Sequence, residues 1–543
     1  MSNALLSALL FSFLLAVLVV DLNINLTVTF ALLLKLTGWM MITYGLLVAL
    51  GIAFIHTAFL FVSGKKAAPA FFSPSFLSLS TPLLILLALI IIRENTAYFA
   101  AFFVPGFQSA LKIQMIALFI LAVTGLVAHY EYRHHRPRRV YFVVYFSLLV
   151  AVLGLTVYER LDYPALRKPA RMGISHPPDS TRRVTLLGLE GLSFDFILPL
   201  IAEGKLPNFA ALMETGAWGR LEGFTPNDPF ILRHTLITGK SPGKHRRISD
   251  VRYSMPGLRR RLEIVPRFIL FRQLTRFKLL TIEPNDDISR VKDLWRIAAD
   301  SGLSALAFDS LLPETAPPPP SPSKNDKTFN AFFKDFQVET SPLFDGARRA
   351  LLRDAEAEDL AFRLKAERQP RVFSLVLNGL NAVESVFYRY SIPEAFGDIK
   401  QEEILRYGPV IGKYYQYYDQ IIGKTMAALK DDELLVVYSP HGIEPLPFWK
   451  RMVEWILGNS DVSAYHEQAP DGAVFFFGRG VDRGKNAEAV KIVDILPTLL
   501  YFLRLPVGKD MDGVVRGTLF TREFTQENPV FTITSYEDVE IRK

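Results

Sequence analysis

Cysteine is absent from this chain of 543 residues, which excludes disulfide bonds and every metal site built on thiolates. A strong charge of one sign is also missing from most of the chain. The formal net charge is +7, but ten Lys and Arg against four Asp and Glu lie before residue 161. The remaining 383 residues are therefore close to neutral. Such a balance provides no basic surface for a polyanion, and we expect no nucleic-acid partner.

Long apolar runs, in contrast, are abundant near the N-terminus. Each approaches the roughly 20 residues that cross a hydrocarbon core. They predict a transmembrane domain of about five helices in residues 1–158, with spans near 5–20, 39–62, 76–92, 112–129 and 140–158. Residues 26–34 form either a re-entrant piece or an extension of a neighbouring span, so four and six spans are the alternatives.

The basic residues between these runs predict the topology. Lys65 and Lys66 form one short basic loop, and Arg133, Arg136, Arg138 and Arg139 form another. Because positively charged loops stay in the cytoplasm, the N-terminus is expected inside and everything after the last span outside. No small-residue cleavage motif follows the first run, which indicates a retained anchor. The sequence thus predicts a multi-pass inner-membrane protein with a periplasmic C-terminal domain, in contact with the lipid bilayer.

The second part of the chain alternates buried strands with helices. A proline-rich and charged linker occupies residues 159–182, and a domain follows over 183–525, with an insert at about 252–345 and a tail at 526–543. Continuous apolar runs of the kind found in parallel strands lie at 184–189, 304–308, 372–377, 434–438 and 472–477. Helical patterns at 207–215, 291–299, 414–429 and 492–503 separate them. This alternation predicts a layered α/β fold with a mostly parallel sheet.

Six sequence blocks carry more specific information through their order. The first three are VTLLGLEG at 184–191, LPNFAALMETGAWGRL at 206–221 and TLITGKSPGKH at 235–245, the last interpreted as a second apolar strand ending in a turn. LNGLNAVESVFYRY at 377–390, YSPHG at 438–442 and VDILPTLLYFLRLPVGKDMDG at 493–513 follow. Together they resemble the alkaline phosphatase superfamily, and within it the nucleotide pyrophosphatase/phosphodiesterase branch. The resemblance implies a three-layer sandwich.

The resemblance also implies a site with two divalent ions, usually zinc, and a Ser or Thr nucleophile beside them. In the first ion's ligand set, the family's Asp corresponds to Glu190, the Asp of its Asp-His-Gly turn to Pro440, and the neighbouring His to His441. The nucleophile corresponds to Pro229, which has no hydroxyl. A one-residue misalignment could move that role to Thr225 or Thr235, but it could not make Pro440 a ligand.

The second ion's set is altered in the same way. Its Asp corresponds to Asn381, the His four residues later to Ser385, and only the late His is retained, as His466. Each ion keeps at most two good ligands, whereas tight zinc sites need three or four. We therefore expect no bound metal cofactor, with Glu190, His441 and His466 as the only candidates for one remnant zinc or other divalent site.

Two further features have competing interpretations. Arg233 stands where the family often has an aromatic residue, and it would bind an anion or, more commonly for arginine, form a surface ion pair. The segment PRFILFRQLTRFKLL at 266–280 alternates basic with apolar residues. That pattern suits a helix on an anionic bilayer surface or, as the more common case, an amphipathic helix packed on the domain.

Two functional hypotheses follow. In the first, the domain has lost its chemistry and acts as a binding or structural subunit of a membrane complex. Its partners would be membrane proteins and an anionic lipid or glycan in the old pocket. In the second, it is a metal-dependent hydrolase or transferase of phosphoesters or sulfate esters on envelope lipids or glycans, with a rearranged one-metal site.

Overall fold

The computed structural model describes the chain except residues 1, 24, 65–72, 104, 135–138, 162–180, 259, 268–273, 276, 286–290, 310–341, 398, 457–458, 468 and 538–543. Two compact units result. The helical unit comprises Met1–Lys168, Pro242–Ile288 and Val539–Lys543, and the α/β unit comprises Pro169–Ser241 and Ser289–Asp538. Most of the predicted linker falls outside the described residues.

The helical unit contains the predicted apolar segments as helices. Its long helices are Ser2–Leu22, Phe30–Met40, Leu46–Ser63, Pro74–Tyr98, Pro105–His134 and Arg139–Leu161. A π-helical turn at Met41–Gly45 joins the second to the third, so residues 26–34 lead into an extension of the second span. Among the described residues, four helical stretches are long and apolar enough to cross a membrane, and the fifth predicted span contributes the shorter apolar stretch Val143–Leu155.

Described residues of the segment 242–288 contact these helices. Asn23 at the end of the first helix accepts hydrogen bonds from the backbone N–H groups of Glu263 (2.7 Å) and Ile264 (2.9 Å). Asn95 does the same for Arg267, at 2.7 Å. The segment contains the short helix Pro242–His245 and a hairpin of Val251–Ser254 and Thr281–Pro284. The predicted insert is thus divided between the two units. Much of the basic and apolar segment 266–280, where the sequence suggested a helix, lies outside the described residues.

The α/β unit is built on a seven-stranded sheet. Its strands are β1 Arg183–Leu189, β2 Ala217–Glu222, β3 Ala305–Asp309, β4 Val372–Leu377, β5 Glu433–His441, β6 Asp471–Gly478 and β7 Lys485–Lys491. Their order in the sheet is β7-β2-β6-β5-β1-β4-β3. Strands β5, β1, β4 and β3 are parallel, as are β2 and β7, whereas β6 runs antiparallel to both its neighbours. The five apolar runs predicted from the sequence are all strands of this sheet.

Helices cover both faces of the sheet. In β1, Leu187 and Leu189 belong to one apolar cluster, while Val184 and Leu186 belong to the other, as the alternation of side chains along a strand requires. The first layer contains Phe194–Ala202, Pro207–Thr215, Pro342–Arg368, Gly379–Ser391, Gln401–Tyr407 and Pro409–Ala427. The second contains Pro229–Thr238, Leu294–Asp300, Ile495–Phe502 and Arg522–Glu527. The predicted three-layer α/β sandwich is confirmed.

Most of the C-terminal segment, which the sequence suggested to be a tail, packs on the α/β unit. Thr532–Ile533 pairs in parallel with Val507–Gly508. Farther along, the buried Glu537 accepts a hydrogen bond of 2.8 Å from the buried ammonium of Lys240, which also bonds Asp510 at 2.6 Å. A second two-residue ladder, Glu444–Pro445 with Ala464–Tyr465, and the helix Phe448–Ile456 lie beyond the end of β5.

Candidate active-site remnant

Glu190 lies immediately after β1, at the edge where the parallel strands end. Its backbone N–H donates to the Leu377 carbonyl (3.0 Å), and its side chain is completely buried. Gly191 follows with a φ of 102°, a conformation that favours glycine, and its N–H donates to Ser439 Oγ at 3.0 Å. The chain turns at this junction, which places the carboxyl group on the usual ligand side of an open α/β sheet.

The partner of Glu190 is Arg233, from the helix Pro229–Thr238. Arg233 Nε lies 3.2 Å from Glu190 Oε1, and the same guanidinium pairs with Asp309 at the end of β3. Arg233 Nε donates its hydrogen bond to the Pro229 carbonyl oxygen, also at 3.2 Å, and not to Glu190. Neither carboxyl oxygen of Glu190 has a hydrogen bond among the described residues. The Arg233 side chain is only 14% exposed, so the expected surface ion pair is wrong: the pair is largely buried.

The electrostatics of this cluster follow from its burial. Desolvation raises the pKa of Glu190 to about 7; the Arg233 charge lowers it in part, and Asp309 and Asp228 raise it. Desolvation alone would lower the pKa of Arg233, but the charges of Glu190 and Asp309 raise it above its ordinary value. The guanidinium is therefore a fixed positive charge beside a carboxyl group whose ionisation depends on it.

His441 and His466 come together next to this cluster. Their rings stack with centroids 4.9 Å apart and planes inclined by 30°. His441 Nδ1 bonds the Gly442 carbonyl at 2.9 Å, while its Nε2 has no hydrogen bond among the described residues. Burial, and then the neighbouring His466, lower the pKa of His441 to about 3. Burial also lowers the pKa of His466, so both rings are neutral at pH 7.

The region expected to carry the nucleophile is the start of a helix. Pro229 is its first residue, and Asp228 caps it by accepting from the N–H groups of Phe230 (2.9 Å) and Ile231 (3.2 Å). Proline in this position and a capping Asp before it are common at helix starts, since the first N–H groups lack partners. The helix continues to Thr238, so the predicted apolar strand in 235–245 is wrong. Thr235 is fully buried within that helix.

Two positions of the second ligand set, Asn381 and Ser385, lie on the helix Gly379–Ser391 and bond locally. Asn381 Nδ2 donates to Asn378 Oδ1 at 3.2 Å, and Ser385 Oγ donates to the Ala382 carbonyl at 2.8 Å. Neither is a carboxylate or an imidazole. Asn381 lies next to the turn that follows β1, since its backbone N is 3.1 Å from the position of a Cβ on Gly191. Both side chains are poorly suited to a divalent cation.

Glu384 is a functional candidate that the sequence reasoning missed. It is fully buried, and Tyr415 donates a hydrogen bond of 3.3 Å to its Oε1. Its Oε2 lies 2.5 Å from the position that a Cβ on Gly191 would take. Burial raises the pKa of Glu384 well above its ordinary value, and the hydrogen bond from Tyr415 lowers it in part. Its position on the apolar face of its helix, next to Val383, was the available signal.

The donor set does not fit a pair of divalent ions. Within the part of the chain that the structure describes, no three His, Asp or Glu side chains converge to hold a metal. Glu190 faces a guanidinium, and Pro440 in β5 has no side-chain donor. The lone pairs of two stacked imidazoles lie in nearly parallel planes and do not converge on one ion. The remnant pocket is thus defined by Glu190, Arg233, Asp309, His441, His466 and Glu384.

Comparison with known proteins extends these observations. The family model for type I phosphodiesterase/nucleotide pyrophosphatase matches residues 184–493. Two structures of murine ectonucleotide pyrophosphatase/phosphodiesterase 5, one of them an inactive variant in complex with AMP, are each 13% identical, with 63% of this chain and 100% of that chain covered and a TM-score of 0.36. A phosphonate monoester hydrolase from Silicibacter pomeroyi is 15% identical, with 62% and 76% covered and the same TM-score of 0.36.

A search of curated protein sequences gives no match. The family model covers more than half of the chain. The chain therefore belongs to the type I phosphodiesterase/nucleotide pyrophosphatase family.

Proposed function

We propose that this chain is a membrane-anchored, extracytoplasmic domain of phosphodiesterase fold that has lost two-metal catalysis and serves as a binding or structural subunit of a membrane complex. The observation that carries the proposal is the contact of 3.2 Å between Arg233 and Glu190. A protein cation stands beside the one carboxylate that the first ligand set retains.

The chemistry of arginine explains why this contact matters. A guanidinium is always charged at accessible pH and has no lone pair for a metal. The guanidinium of Arg233 would repel a divalent ion at Glu190. Binding of the ion would require Arg233 to leave both Glu190 and Asp309. Removing one partner of such a largely buried pair is strongly unfavourable. The missing hydroxyl at Pro229 and the missing donor at Pro440 are independent losses, so three requirements of the reaction fail together.

A membrane role is supported by the helical unit. Large apolar side chains such as Phe54 (75% exposed) and Phe61 (88% exposed) cover its surface, as expected for helices that contact lipid or other membrane proteins. The basic loops at 65–66 and 133–139 favour a cytoplasmic N-terminus and an extracytoplasmic α/β unit. An anionic lipid or glycan bound in the remnant pocket is part of the same proposal.

The second candidate is a hydrolase or transferase with one metal held by Glu190, His441 and His466. One observation favours it: His441 is neutral, and its Nε2 is buried without a hydrogen bond among the described residues. A neutral imidazole with a free lone pair is the form that binds metals. The ion pair of Glu190 with Arg233 opposes it, because that carboxylate would have to change partners.

Metal content and turnover distinguish the two candidates. We expect the full chain, purified in mild detergent and equilibrated with zinc, manganese or calcium, to contain far less than one ion per chain. We also expect no hydrolysis of bis-p-nitrophenyl phosphate above the buffer rate. Near-stoichiometric metal, with turnover that is lost in His441→Ala and kept in the matched control His134→Ala, would establish the second candidate. The subunit role requires, in addition, a membrane protein that co-purifies stoichiometrically from native membranes.

A further inference from the structure

The helix Phe448–Ile456 exposes its apolar side chains, whereas an ordinary surface helix buries them. None of its nine residues is buried. Its large apolar side chains face outward: Phe448 is 74% exposed, Trp449 56%, Met452 51%, Trp455 69% and Ile456 66%. A helix on the surface of a soluble domain normally turns such residues inward and its charges outward.

The two basic residues of this helix contact other parts of the protein. Lys450 Nζ lies 2.7 Å from Glu467 Oε2 and 4.0 Å from the centre of the Tyr465 ring. Arg451 lies over Phe396, with its guanidinium carbon 4.8 Å from the ring centre. The cations are thus held by an acidic partner and by aromatic rings, and the outer face is left apolar.

Other exposed apolar side chains in the α/β unit are scattered. Among its described residues, the large ones outside this helix are Leu198, Leu360, Leu405, Val514 and Val530, which lie on separate elements. Single exposed apolar residues are normal on protein surfaces, whereas a contiguous patch marks an interaction site. The concentration of six such side chains in one helix, including Val453, therefore needs a partner.

A cavity of about 360 Å³ lies beside this helix, and its chemistry complements phosphate. Arg389 and Arg451 line it, together with Tyr390, Ser460, Ser463 and Glu403. The Nε atoms of both arginines are buried and have no hydrogen bond among the described residues. Arg389 also lies 3.6 Å from Asp461, so the cavity has donors available without a large excess of positive charge. Guanidinium groups are the preferred partners of phosphate in such sites.

We propose that the helix Phe448–Ile456 lies in the surface of the lipid bilayer, with its aromatic and aliphatic face among the upper acyl chains and a lipid phosphate at the Arg389 and Arg451 cavity. The occupant is the bilayer because the same chain carries four stretches able to span one, which keep that surface within reach. Tryptophan favours the interface, and nine residues are too few to cross. The proposal depends on the membrane anchor and is independent of whether the remnant pocket is catalytic.

The absence of cysteine makes the test direct, since a single introduced cysteine can carry a spin label. We would compare Met452→Cys with the matched control Val530→Cys, because the two positions are almost equally exposed, at 51% and 49%. The full chain would be placed in nanodiscs of phosphatidylcholine and phosphatidylglycerol. Collision rates of each label with oxygen, which concentrates in the bilayer, and with a water-soluble nickel chelate would then be measured.

We expect the ratio of oxygen to nickel collisions to be several-fold higher at position 452 than at 530. It should fall toward the control value when Trp449 and Trp455 are both replaced with serine. Equal ratios at 452 and 530 would overturn the proposal. So would protection of the 452 label from both reagents, because that result means contact with protein, such as a second copy of the chain.

Discussion

Replacing Arg233 with methionine is expected to lower the free energy of unfolding of the α/β unit by about 3–5 kcal/mol at pH 8. Methionine keeps most of the side-chain volume and removes the charge. Glu190, which is completely buried, then has no counter-charge, and neither of its oxygens has a hydrogen bond among the described residues. In the intact protein its pKa is about 7, and removal of Arg233, whose charge lowers this pKa, raises it further. At pH 8 the carboxyl group of the variant must therefore either take up a proton or remain charged without a partner, and both cost stability.

Native-state hydrogen exchange on peptides from β1 and β4 measures this loss in the full chain, because these central strands open only with the whole unit. Arg220→Met, at an exposed position of β2, is the matched control and should change the free energy of unfolding by less than about 0.5 kcal/mol. The double variant Arg233→Met, Glu190→Gln should recover much of the loss, because no buried charge remains without a partner. A small loss in the single variant, or no recovery in the double, would contradict a buried pair at the centre of the pocket.

The fold was predictable from sequence because it depends on patterns that repeat along the chain. Continuous apolar runs such as 184–189 and 372–377 predict parallel strands buried on both faces, and these are β1 and β4. The first four apolar segments also proved to be long helices. Short apolar runs predict secondary structure less well, because the same run is compatible with a strand and with a buried helix. The run at 235–238 looked like a strand, whereas Asp228 and Pro229 begin a helix that includes it.

The site was predictable only in part, for a physical reason. Glu190, His441 and His466 were identified because the sequence blocks around them resemble motifs of a known family. The partner of Glu190 was not, since Arg233 lies 43 positions away in sequence and only the tertiary structure brings them to 3.2 Å. The same holds for Glu384 and Tyr415, whose hydrogen bond joins two helices. Pairings between distant polar groups leave no periodic signal in a single sequence.

Acid should destabilise the protein through His441, and this is the second large effect that we expect. In the folded state His441 takes up a proton only near pH 3, because burial and His466 lower its pKa from the ordinary value of 6.5. Between these values the unfolded chain binds more protons than the folded one, so the free energy of unfolding falls as the pH falls. The contribution is complete above pH 6.5, and about 2–3 kcal/mol of it should be lost between pH 6.5 and pH 4.5.

Comparison with His441→Asn isolates this contribution, because Glu190 is present in both proteins. The raised pKa of Glu190 acts in the opposite direction, stabilising the fold as the pH falls from about 7 toward 4.5, and this trend cancels in the difference. Hydrogen exchange of β5 peptides at several pH values should show a shallower acid slope for His441→Asn than for the unchanged protein. His466→Asn should change that slope less, since His466 is less completely buried. Identical slopes in all three proteins would mean that His441 reaches water or carries its proton in the folded state. Either result would remove the neutral, buried imidazole on which the one-metal alternative depends.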